Sequence, residues 1–371
     1  MKSVSLLLML IISEVNIAQN YYLIAGTYTK WEKSDGIYIY KFDSKTGTAR
    51  LVSSVYTENP SFLAIPADGR HLYSVNENAN GKGGVSAFTF DHENGTLKFI
   101  NQQLTHGDDP CYLRIDPTNK WIVAANYTGG NFSIFPIHPD GALGPAVQII
   151  QHSGSSVNKD RQEMAHLHCV EFSYDRHYLA AVDLGMDQIT LYPFDAGKEK
   201  PVTDKPFIIN TPPGSGPRHF IFNPSKPLAY LIDELAANIT VYRYSEGKID
   251  SIQVISSQPA DYKGEKGSAA IHFSADGKFL YGSNRGESNS ISIFAVDDRS
   301  GRLTSVGFQS TGGEHPRDFT IDPSGKFLLA GNMKSGYVSI FDRDPGTGLL
   351  KDSGHKIRIP EPAQLLFTHI K

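Results

Sequence analysis

Residues 217–244 read PRHFIFNPSKPLAYLIDELAANITVYRY. Three short strands fit this stretch, rich in aromatic and β-branched residues, with turns near Ser225-Lys226 and Asp233-Glu234. Arg218 opens the first strand and Glu234 closes the second, so charges sit at the ends of segments that otherwise look like sheet core.

The stretch is one copy of a repeat. NPSFLAIPADGRHLYSVNE from Asn59 aligns without gaps with DPCYLRIDPTNKWIVAANY from Asp109 and HLHCVEFSYDRHYLAAVDL from His166. GPRHFIFNPSKPLAYLIDE from Gly216, GSAAIHFSADGKFLYGSNR from Gly267 and HPRDFTIDPSGKFLLAGNM from His315 complete the set. The second residue of each copy (Pro60, Pro110, Leu167, Pro217, Ser268, Pro316) serves as an anchor, and successive anchors lie 50, 57, 50, 51 and 48 residues apart. The third and fifth residues after each anchor are apolar, and turn residues follow at eight and nine. A second strand ends at sixteen, a third such as ANITVYRY follows, and a weaker fourth closes most units. Four antiparallel strands in about fifty residues make a propeller blade.

The chain ends fix the number of blades. Residues 21–55 supply a second, third and fourth strand without a first, and EPAQLLFTHI near the C-terminus supplies the missing first strand with Pro362 as its anchor. The expected fold is all-β: a seven-bladed β-propeller, four antiparallel strands per blade, closed by N- and C-terminal strands sharing one blade. Sharing a blade pairs strand edges that would otherwise be free.

Bulk composition narrows the function classes. A net charge of −4 with 20% charged residues offers no basic surface for nucleic acid and no polybasic block for anionic lipid. The first residues, MKSVSLLLMLIISEVNIAQN, combine Lys2, an apolar run from Val4 to Ile12 and the small Ala18. They read as a signal peptide over residues 1–18, too short to span a bilayer, ahead of a single domain over 19–371. With that signal the protein is periplasmic or secreted; without it, cytoplasmic. Cys111 and Cys169 fall at successive strand positions, on opposite faces, and read as two buried thiols rather than a bridge.

Because the blades are copies, residue types shared by all of them serve the scaffold, and polar residues peculiar to one or two are candidates for function. Position sixteen carries Asn76, Asn126, Asp183, Asp233, Asn284 and Asn332. Their presence in every complete blade favours strand-end capping over a metal ring. Positions one and seventeen, expected to face each other across the hairpin, differ between blades: Ser61/Glu77, Cys111/Tyr127, His168/Leu184, Arg218/Glu234, Ala269/Arg285 and Arg317/Met333. The first strand of a blade lines the central channel, so Glu77, His168, Arg218, Glu234, Arg285 and Arg317 are expected at one mouth, with His166 and His315 flanking them. His272 is expected between blades. The longest interval holds QHSGSSVNKDRQEMAHLH, a loop expected to carry Lys159, Asp160, Arg161 and Gln162 over that mouth as a partial lid.

Converging guanidiniums suit an anionic or oxygen-rich ligand, and a carboxylate with a histidine can move protons. No nucleophile elbow, Cys/His metal spacing or Gly-rich phosphate loop occurs, so general-base activation of water with arginine at the oxyanion is the chemistry that fits. A non-catalytic binding propeller and a metal-dependent site using the Asn/Asp ring with Glu77 or Glu234 are the alternatives.

The repeats, RQEMAHLH entering the third blade, VDLGMDQITLYPF, GPRHFIFNP and SNRGESNSISIF resemble the seven-bladed lactonase family over residues 21–371. That family includes propeller-type 6-phosphogluconolactonases and carboxy-muconate cyclases. The resemblance implies a small-molecule lactone, probed at the channel mouth without an obligatory cofactor: hydrolysis of a sugar lactone of the 6-phosphogluconolactone type, or lactone formation as in the cyclases. Matched by repeat position, it implies His168 (with His166 adjacent), Arg218, Glu234 and Arg285 as catalytic, and leaves Glu77, Arg161, His166, His315 and Arg317 for substrate binding. A pentose-phosphate lactonase works in the cytoplasm, so either the first residues are not an export signal or the substrate is an unphosphorylated or otherwise exported lactone.

Overall fold

The computed structural model describes residues 20–30, 33–203 and 205–370. The expected signal peptide over residues 1–18 lies outside them, and no described helix is long and apolar enough to cross a membrane. The described residues form seven four-stranded antiparallel sheets. Blades one to six follow the six repeats, beginning with Leu63–Ala64, Pro110–Ile115, Leu167–Phe172, Pro217–Phe222, Ser268–Phe273 and Pro316–Ile321. Blade seven joins Pro362–His369 to Asn20–Thr27, Gly36–Asp43 and Thr48–Tyr56, with Tyr21 facing His369 across the seam.

The burial pattern explains the strength of the repeat. Second strands such as Leu228–Asp233 and Phe279–Asn284 are buried at every position, because blades pack on both faces. Outer strands such as Thr96–Leu104 alternate between exposed and half-buried residues and carry the weakest sequence signal.

Adjacent blades are also hooked together by polar contacts. Thirteen residues after the anchor, Tyr73, Tyr230 and Tyr281 are fully buried, and each hydroxyl donates to a glycine carbonyl in an outer turn of the next blade. The acceptors are Gly141 at 3.0 Å, Gly301 at 2.8 Å and Gly348 at 2.8 Å. Tyr230→Phe keeps the packing and deletes the hook, so the denaturant midpoint falls by the equivalent of about 1 kcal/mol; an unmoved midpoint would show that the hydroxyl contributes nothing to blade docking.

Position sixteen caps locally, as its presence in every blade implies. Asn76 Nδ2 donates to the Glu58 carbonyl at 2.8 Å, Asn284 Nδ2 to the Ser257 carbonyl at 2.8 Å, and Asp183 Oδ1 accepts from the His166 and Met186 amides. Cys111 and Cys169 are free and buried. His272 bonds Asp318 of the next blade at 2.9 Å, which bears out its place between blades.

Candidate active site

The inner strands carry the feature that builds the site. In six blades the ladder breaks just after the anchor: pairing jumps from Pro110 to Tyr112, Leu167 to Cys169, Pro217 to His219, Ser268 to Ile271, Pro316 to Asp318 and Pro362 to Gln364. Position one is therefore a β-bulge, a device that re-aims a side chain. The expected register is corrected accordingly: Pro217, not Arg218, faces Asp233. The amide of Glu234 instead reaches back to the Gly216 carbonyl at 2.7 Å, and Tyr127, Leu184 and Arg285 repeat that bond in their own blades at 2.9 Å.

Arg218 and Glu234 still meet, through their side chains. Arg218 Nε lies 2.9 Å from Glu234 Oε2, and Arg285 Nη2 lies 2.7 Å from the same oxygen. Arg161, from the loop between blades two and three, places Nη2 2.6 Å from Oε1. One carboxylate thus holds three guanidiniums from three chain segments. Arg218 is 1% exposed and Glu234 4%, so these charges lie sunk inside the channel rather than on its rim.

Only part of the expected lid reaches over the mouth. Gln162 is buried and donates to the Leu184 carbonyl, docking the loop on blade three. Gly185 is required there, since a Cβ on it would collide with the Met164 carbonyl oxygen. Arg161 is the loop residue that crosses to Glu234. Lys159 and Asp160 are exposed, and the Lys159 ammonium folds back on the Ser156 carbonyl.

A second carboxylate stands beside the first cluster. Glu77 accepts from the Tyr28 hydroxyl at 2.8 and 2.9 Å and from Ser61, and Arg317 Nη2 lies 3.6 Å from it while its guanidinium stacks 5.4 Å over the Tyr28 ring. His166 stacks on Tyr127 at 4.4 Å, with Nδ1 donating to the Tyr127 carbonyl and Nε2 against Glu163. His168 is buried between Tyr127 and His219, at ring separations of 5.5 and 5.4 Å, with Cys111 Sγ 3.8 Å from Nδ1. A cleft of about 350 Å³ opens on this mouth. Arg161, Glu234, Arg285 and His315 line it, together with Lys266, Lys334, Glu265 and Glu314; His168 and Arg218 are not on that lining.

Electrostatics follow from this placement. Burial favours protonation of Glu234, but the guanidiniums of Arg285, Arg218 and Arg161 outweigh it and hold the carboxyl well below the usual range. Burial, Arg285 and Arg317 lower Arg218 to about 9, still cationic at neutral pH. Burial, helped by the Arg218 charge, keeps His168 neutral far below its ordinary value. Burial with Arg285 and Arg317 brings His315 down to about 3. Four guanidiniums against Glu234 and Glu77, with Lys266 and Lys334 offset by Glu265 and Glu314 on the lining, leave a surplus of two positive charges, a setting for an anion or a developing oxyanion.

A family model for the lactonase, 7-bladed beta-propeller type matches residues 22–367. The chain belongs to that family. A 6-phosphogluconolactonase of Bacillus subtilis is 36% identical over 347 residues, 93% of this chain and 97% of that protein. A solved structure from Bacteroides fragilis, 43% identical, superposes with a TM-score of 0.90 over 94% of this chain and 98% of its own. A periplasmic gluconolactonase of Pseudomonas aeruginosa superposes with a TM-score of 0.90 at 35% identity, covering 95% and 100%.

Within this propeller lactonase, Tyr28 is a site residue that the six-copy comparison passes over. It stands at position seventeen of the blade split between the termini, its amide bonded to the Glu361 carbonyl as its counterparts are bonded in theirs. Extending the frame across the seam would have found it. Tyr127 was on the list of pairs but carries no charge, and its role, a hydroxyl accepting from Arg161 Nη2 at 3.2 Å, depends on a loop contact that no repeat encodes.

Proposed function

We propose that this protein hydrolyses a sugar lactone, with an anionic substrate of the 6-phosphogluconolactone type. The observation that carries the reading is the buried, positively biased cluster of Arg161, Arg218, Arg285 and Glu234 beside a cleft of about 350 Å³. The curated relative named 6-phosphogluconolactonase supports it.

In this reading Arg285, on the cleft wall, binds the oxygen that becomes the oxyanion when water attacks the lactone carbonyl, and the buried charge of Arg218 behind Glu234 adds to the positive field there. Glu234, with both carboxylate oxygens engaged by arginines, orients them and is not placed to accept a proton. A neutral imidazole takes the proton from water; the ring C–O bond then breaks, the departing oxygen is protonated to a hydroxyl, and the product acid releases one proton at neutral pH. His168 is that base, and His315 steadies the substrate from the cleft wall. A second assignment, His315 as base, is favoured by its direct place on the lining. His168→Asn should lower kcat/KM by about a hundredfold and His315→Asn by less than about tenfold; the reverse order of losses would move the base to His315.

The deciding assay follows proton release by purified protein with 6-phosphogluconolactone and glucono-δ-lactone in parallel, spontaneous hydrolysis subtracted, with and without chelator. Faster turnover of the phosphorylated lactone, unchanged by chelator, is the expected result; acceleration of neither would remove the hydrolase reading for these sugars. An unphosphorylated gluconolactone is the alternative substrate, favoured by the export signal read in residues 1–18 and by likeness to a protein described as a periplasmic gluconolactonase. Cell fractionation checks the export proposal, which fails if the chain stays cytoplasmic at full length.

A further inference from the structure

We propose that His219 is a positioning residue for Arg218, holding the guanidinium from the far side of the propeller through a lone pair on Nε2. The inference deepens the hydrolase reading and rests on it for its kinetic arm only.

Arg218 uses Nε for Glu234, and its Nη1 lies 3.0 Å from His219 Nε2. A guanidinium has donors and no acceptor, so the contact is a hydrogen bond only if Nε2 carries a lone pair. The imidazole must then be the neutral form with its proton on Nδ1. Its surroundings agree: His219 is 7% exposed and stands edge-on to Tyr112 at 5.1 Å and to Phe62 at 6.3 Å. In a regular strand, neighbours point to opposite faces. The bulge at Arg218 breaks that alternation and lets adjacent residues share a hydrogen bond.

The repeat argues that this contact is specific to blade four. At position two, blades one, two, three and five carry Phe62, Tyr112, Cys169 and Ala270, and in these blades position one holds no arginine to be met. Asp318 and Gln364, in blades six and seven, accept the backbone amides of Leu365 and Leu63 and so tie neighbouring blades together. His219 is the copy that turns to a charged side chain of the site. It also lines a separate cavity of about 720 Å³ at the opposite mouth of the channel, and its ring lies 5.4 Å from that of His168. Two residues of the proposed machinery, Arg218 and His168, are therefore braced by one imidazole that no substrate in the cleft touches.

The test compares the full chain with His219→Phe, which keeps an aromatic ring and removes the acceptor, and His219→Gln, whose amide oxygen restores one. His219→Phe should lower kcat/KM on the lactone about ten- to hundredfold, and His219→Gln should recover most of that loss. Phe within twofold of the parent, or Gln as impaired as Phe, overturns the proposal. In parallel, ¹⁵N-histidine NMR of the parent should show His219 as the Nδ1–H tautomer with Nε2 accepting a bond that Arg218→Ala abolishes; a protonated Nε2, or a resonance indifferent to Arg218→Ala, also overturns it. If the parent accelerates no lactone, the hydrolase reading fails alone and the NMR arm still decides the contact.

Discussion

Glu234→Ala is expected to lose about 3–5 kcal/mol of stability and all measurable turnover, because removing one partner of a buried ionic group strands the others. Here the stranded groups are three guanidiniums within 2.9 Å of one carboxylate, with Arg218 almost wholly enclosed. Glu234→Gln separates folding from catalysis. It keeps the shape and offers one oxygen acceptor, so the chain should fold while kcat/KM still falls by roughly a hundredfold as the arginines lose their anchor. Added phosphate or citrate should raise the melting temperature of Glu234→Ala more than that of the parent, since the exposed surplus of positive charge gains an anion. An alanine variant within about 0.5 kcal/mol of the parent would show that the cluster is not held together by this carboxylate.

The second large effect is loss of stability in mild acid. His168 and His219 are kept neutral far below the ordinary imidazole value, chiefly by burial and then by Arg218, and His315 titrates near 3. In the unfolded chain all three rings take up protons near pH 6.5. Above that pH neither state is protonated and stability is flat. Below it the unfolded state alone binds protons, so stability falls with falling pH by about 1.4 kcal/mol per unit for each ring. Glu234, depressed in the fold, adds to the loss only below about pH 4.5. Asp233 and Glu171, raised chiefly by burial, act in the opposite sense at pH values between their ordinary and raised pKa. The net slope below pH 6.5 should lie at about 1–4 kcal/mol per unit. His219→Phe should flatten it by about 1.4. Urea midpoints from pH 7.5 to 5 measure this directly, and a slope unaltered in that variant would mean the ring is not held neutral.

The fold was legible because a propeller writes one blade many times. Anchors spaced at about fifty residues, turn residues at eight and nine, and the unmatched strands at the two ends were enough to place the seam at Pro362 and residues 21–55. Much of the site was legible for a related reason: Arg218, Glu234, Arg285, Arg317 and Glu77 stand out as departures from the copies. The cross-strand register was not, since the bulge falls at the first residue after the anchor, ahead of the alternating apolar positions that carry the pattern. Tyr28 escaped because its strand lies at the other end of the chain from the one that begins its blade. Arg161 was legible as a loop residue, but its bond to Glu234 depends on how Gln162 and Gly185 seat the loop, and that is a matter of packing rather than pattern.

The seam in blade seven has one more consequence. Asn20–Thr27 runs towards the cleft, ending beside Tyr28 and Glu77, while Pro362–His369 runs away from it, and Tyr21 pairs with His369. The first and last described strands of the ring therefore enter and leave side by side at the mouth opposite the cleft. Immobilising the protein on a bead, or fusing it to another domain, through either of these strands would leave the arginine-lined opening facing the solution, whereas a tether grafted into the loop carrying Arg161 would block it.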